Sequence, residues 1–60
     1  MNRTIKVLLK ERFAEDTYTD VEEFYDTWKY LEIVQEIEHI TFRTRISRSS
    51  IVRYSITEER

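Results

Sequence analysis

Cysteine, glycine and proline are all absent from this chain of 60 residues. Without cysteine there is neither a disulfide nor a thiolate metal site, and with one histidine any metal would need oxygen ligands. Without glycine, each turn that needs a left-handed backbone must place an ordinary residue there. Without either glycine or proline, element ends carry no strong punctuation. No apolar run approaches the roughly 18 residues of a membrane span. The start, Met1 to Lys6, lacks the apolar segment of a signal peptide. A cytoplasmic protein without membrane, metal or cofactor is expected.

What is present is aromatic and charged. One Trp, four Tyr and three Phe argue against disorder, although 37% of residues are charged. The length allows one small domain over residues 1–60, with 58–60 a frayed tail. A domain of this size has a thin stability margin and no covalent staple, which favours oligomerisation. The net charge of −2 conceals a split. Residues 1–10 carry Arg3, Lys6 and Lys10 and no acid. Residues 11–38 carry ten acids against Arg12 and Lys29. Residues 39–57 carry Arg43, Arg45, Arg48 and Arg53 and no acid. Such asymmetry bears on partners rather than on fold.

Periodicity predicts an α+β domain of β-α-β-β order, with one helix packed on one face of a three-stranded, mainly antiparallel sheet. Ile5, Val7 and Leu9 alternate with Lys6, Leu8 and Lys10, so Thr4 to Phe13 reads as a strand. Thr19-Asp20-Val21-Glu22 matches a capping box, and Val21, Phe24, Trp28 and Leu31 follow at helical spacing. This predicts a helix from Thr19 to about Glu36, with Trp28 at the centre of the core. Its end stays open between Leu31 and Glu36; in the shorter reading, Glu32 to Ile37 begins the next strand early through a bulge. From Glu38 the period is two, with Ile40, Phe42, Thr44 and Ile46 on one face. Ile51 to Thr57 is a further strand. A loop at Ser47 to Ser49 would pair Ile40 with Ile56 and Phe42 with Tyr54. The first crossover should be right-handed.

No catalytic motif emerges. His39 between acids has no nucleophile at a meaningful spacing, and Ser49 and Ser50 suit a turn. Glu11, Glu15, Asp16, Asp20, Glu22, Glu23 and Asp26 lack the spacing of a calcium loop and read as solvated surface. Two surfaces stand out. Tyr30, Ile33 and Ile37 form a second apolar stripe on the expected helix, which suggests an interface with a second copy or a larger protein. Lys6, Lys10, Arg43, Arg45 and Arg53 would share the sheet face away from the helix, an anion or nucleic-acid face. The expected function is a small non-enzymatic protein-binding module, an accessory regulator or inhibitor of viral or mobile-element type. Nucleic-acid binding through the Arg-rich face is the alternative.

Overall fold

The computed structural model describes residues 2–59 and the side chains of 3–59. Six strands form: β1 (Asn2–Leu9), β2 (Glu15–Tyr18), β3 (Val21–Asp26), β4 (Tyr30–Ile37), β5 (Ile40–Ser47) and β6 (Ile51–Glu59). A single 3-10 turn, Arg48–Ser50, lies between β5 and β6. The strands make two antiparallel sheets, ordered β2-β1-β6 and β3-β4-β5. Their inner faces meet around Ile5, Val7 and Ile51 from the first sheet and Val21, Leu31 and Ile33 from the second. Leu9, Tyr18, Phe24, Ile46, Tyr54 and Ile56 close the margins of this core.

The predicted α+β architecture is therefore wrong: among the described residues no helix packs on either sheet, and there is no crossover to have a hand. The physical reason lies in irregularities of β3 and β4. The pairing of these strands shifts between Val21 and Glu23. That bulge turns Val21 and Phe24 to the same side, three residues apart, as a helix would. The loop at Thr27 to Lys29 then resets the phase, so Leu31 is inward again. Three members of the apparent helical stripe do reach the core, by two accidents of spacing. The fourth, Trp28, is 84% exposed in the loop. β4 is also the central strand of its sheet and is buried on both faces from Leu31 to Val34. A strand covered on both sides loses alternation.

β2 and β3 are almost one strand, passing from the first sheet to the second at Thr19 and Asp20. Asp20 takes φ 53° there, and the corner is held by Gln35 Nε2 donating to the Thr19 carbonyl at 2.8 Å and by the Glu36 amide donating to the Asp20 carbonyl at 3.2 Å. The residues read as a capping box are thus a sheet-switching corner. At the chain's other half, β5 pairs with β4 rather than β6. Ile40 faces Ile37, and Phe42 faces Gln35. β6 pairs instead with β1, bringing Ile56 opposite Ile5 and Tyr54 opposite Val7. The expected hairpin loop is a 3-10 turn that carries the chain between sheets. Glu58 and Glu59, expected in a frayed tail, face Arg3 and Asn2 in the ladder; Arg60 lies outside the described residues. The alternation expected of Ile5 and Val7 is present, but the strand expected to reach Phe13 ends at Leu9. On the even-numbered face of β5, Thr44 and Ile46 are half-buried, while Ile40 and Phe42 are exposed.

Candidate functional site

The five basic residues expected on one face are not brought together. Arg43 and Arg45 lie on the outer face of the β3-β4-β5 sheet, paired across from Val34 and Glu32. Lys6 and Arg53 lie on the outer face of the other sheet, opposite Ser55 and Leu8. Because the two inner faces pack on each other, these outer faces point apart. Lys10 sits in the turn after β1. The interface residues are scattered as well. Ile33 is a fully buried core residue, Tyr30 lies under Arg45, and Ile37 is exposed at the far end of β4.

Arg43 and Arg45 converge on Glu32, which is only 6% exposed although it faces outward. Arg45 Nε donates to Oε1 at 2.6 Å and Arg43 Nη1 to Oε2 at 3.3 Å. The hydrogen bond to Glu32 raises the Arg45 pKa above its ordinary value, so the guanidinium stays charged. Its plane also lies 4.8 Å from the Tyr30 ring centre, a cation–π contact. Beside them the Tyr25 hydroxyl donates to Glu23, and that hydrogen bond raises the Tyr25 pKa. This face is internally satisfied: its cations already have a carboxylate partner.

At one end of the molecule three connections meet. These are 10–14, 27–29 and the 3-10 turn. The Lys10 amide donates to the Ser50 carbonyl at 2.9 Å, and the Arg48 amide to the Lys29 carbonyl at 3.0 Å. Each loop is also tied within itself. The Phe13 amide donates to the Leu9 carbonyl at 3.0 Å, and the Thr27 hydroxyl both donates to the Tyr30 carbonyl at 2.8 Å and accepts from its amide at 3.0 Å. These fastened loops present the two most exposed aromatic side chains of the described residues, Trp28 at 84% and Phe13 at 82%. Phe13 does so with φ 46°, a left-handed conformation that costs a bulky residue on the order of 1 kcal/mol or more.

Beneath the loops, Asp26 joins the two sheets. It accepts from the Tyr54 hydroxyl at 2.5 Å and pairs with Arg48 at 3.2 Å. The hydrogen bond to Asp26, followed by burial, raises the Tyr54 pKa. Lys29 Nζ lies 5.0 Å from the Trp28 ring centre. Arg12 pairs with Asp16 at 2.9 Å. The four cations here, Lys10, Arg12, Lys29 and Arg48, are thus matched in number by Glu11, Glu15, Asp16 and Asp26. Of these four cations, Lys10 and Lys29 are the two with no carboxylate within ion-pair distance among the described residues. At the other end, Asp20, Glu22, Glu36, Glu38, Glu58 and Glu59 face only Arg3 among the described residues. The loop end is aromatic and of balanced charge, and the other end is acidic.

Trp28, expected at the centre of the core from its helical spacing to Val21 and Phe24, and Phe13, expected in a strand, both stand in water on loops. The usable signal was Asp26-Thr27-Trp28-Lys29, in which Thr27 suits a side-chain-to-backbone turn. No family model, curated protein or solved structure matches the chain. Among the described residues, no three His, Asp or Glu side chains gather where they could hold a metal ion, and no helix is long and apolar enough to cross a membrane.

Proposed function

We propose that this chain is a non-enzymatic protein-binding module, a regulator or inhibitor that docks through its loop end. The exposure of Trp28 and Phe13 on hydrogen-bonded loops supports this reading. Two large aromatics held out in water lose hydration cost on docking, and their loops have little conformational freedom left to lose. Trp and Arg dominate the energetics of protein interfaces. Lys10 and Lys29 beside them, which make no ion pair among the described residues, favour a partner segment that is acidic and carries an apolar anchor.

Trp28 is the only tryptophan, so its emission reports on this surface directly. Peptides selected from a random displayed library against the wild type should be rich in Asp, Glu and apolar residues. They should shift Trp28 emission to the blue and lose at least about tenfold in affinity against Trp28→Ala or Phe13→Ala, a difference of about 1.4 kcal/mol. Selected peptides that bind Trp28→Ala unchanged would remove the proposal. The nucleic-acid reading loses its Arg-rich face but retains one supporting observation, exposed aromatics beside Lys10 and Lys29, which suits base stacking. Quenching of Trp28 by oligothymidylate at about 50 mM salt, weakening as salt rises, would favour it over the protein reading.

A further inference from the structure

A second surface, on another part of the molecule, is unsatisfied for a different reason. β5 ends its sheet, so the edge away from β4 has no strand partner. It is eight residues long and pairs with β4 without a bulge. Long, regular, unpaired edges invite another strand. Ile40 to Arg43 are exposed on both faces of the sheet, so this half of β5 stands clear of the other sheet. On the face that elsewhere builds the core, Ile40 is 56% and Phe42 46% exposed, with Ile37 beside them. Charged side chains normally blunt such an edge. Here Arg43 and Arg45 are both drawn onto Glu32.

We infer that β5 is the contact strand of a homodimer, in which two copies join these edges antiparallel across a twofold axis centred on Phe42. In an isologous strand pair, only residues on the same face meet, so the axis must pass through a residue. Charge then selects the register. An axis at Arg43 or Arg45 sets a guanidinium against its own copy, and one at Thr44 sets Arg43 against the partner's Arg45. Like charges directly opposed are destabilising. An axis at Phe42 places Arg43 opposite the partner's Thr41 and Arg45 opposite the partner's His39. It stacks the two Phe42 rings and lays each Ile40 beside the partner's Thr44. An axis at Thr41 also separates the cations but shortens the paired segment. The Phe42 register is the longest that keeps the guanidiniums apart, and it covers the apolar side chains left in water. The occupant is thus a second copy of this chain, and the surface is separate from the loop end.

The test uses the wild-type chain and single-thiol variants. Because the chain has no cysteine, an introduced one is the only thiol. Directly opposed residues lie about 4.5–5.5 Å apart, within disulfide reach. Thr41→Cys mixed with Arg43→Cys should form a mixed disulfide under mild oxidation, while either alone should cross-link poorly. Sedimentation of the wild type should show a dimer by about 100 μM, and Phe42→Lys, folded by circular dichroism, should weaken it at least about tenfold. If Phe42→Lys does not fold, the mixed disulfide decides. Self-cross-linking of Arg43→Cys alone would overturn the register. A wild type monomeric at about 100 μM would overturn the dimer, as would a dimer abolished by Trp28→Ala and not by Phe42→Lys.

Discussion

Four ordinary residues take the left-handed conformations that glycine would adopt without strain: Phe13, Asp20, Glu38 and His39. Glu38 and His39 are consecutive, at φ 52° and 66°, and form the two-residue turn between β4 and β5. Turns with both central residues at positive φ favour Asn-Gly. Glu38→Asn combined with His39→Gly should therefore stabilise the fold by about 1–2 kcal/mol, read as a higher denaturation midpoint at unchanged slope. The tyrosines set an alkaline limit. Burial, then Asp16, raises the Tyr18 pKa above 10.0, and the hydrogen bonds to Glu23 and Asp26 do the same for Tyr25 and Tyr54. Each phenol thus stays neutral to higher pH in the fold than in the unfolded chain. That contribution is complete below pH 10 and is lost as pH rises through the folded-state values. Denaturant melts should show stability falling above pH 10, with a shallower fall in Tyr54→Phe. Equal falls in both proteins would show that the hydrogen bond to Asp26 has no such role.

At the scale of elements, β4 carries the centre of the core and the loop before it carries the exposed tryptophan. Ile33→Ala should cost about 2–5 kcal/mol, since it empties a fully buried site in a domain with little margin. Trp28→Ala should change stability by less than about 0.5 kcal/mol, and native emission should be close to that of free tryptophan. A blue-shifted native spectrum would return Trp28 to the interior. Period two survives where a strand has one wet face, around Ile5 and Val7 of β1 and Thr44 and Ile46 of β5. β3 and β4 were illegible for two physical causes. The bulge at Val21 and Glu23 imitates a helical step, and burial of β4 on both faces removes alternation. Thr19 and Asp20 misled because small polar residues serve a helix cap and a sheet corner alike. The candidate site was less legible still. Three separate connections are joined through the backbone hydrogen bonds at Ser50 and Lys29, and no local pattern encodes those. The charge blocks were visible, but the gathering of Asp20, Glu22, Glu36, Glu38, Glu58 and Glu59 at one end depends on where each strand points.

The whole molecule is polarised, and the polarity bears on how it meets a partner. The acidic end repels acidic surfaces over a distance of about a Debye length, while the aromatic loop end, with its balanced charge, does not. Approach is oriented before contact, so added salt should act on the association rate more than on dissociation. The proposed dimer axis lies in the half of β5 away from the loop end, which leaves both docking ends free and makes the assembly bivalent. The pairing of β1 with β6 has a mechanical consequence. Asn2 lies opposite Glu59, and the strands run antiparallel from there. Force applied between those two residues separates the ladder from its open end, loading one rung at a time, as a zipper opens. Force applied between Asn2 and Ile51 acts along the strands instead and loads many rungs together. Single-molecule pulling should find the second geometry markedly more resistant than the first, although both break the same hydrogen bonds.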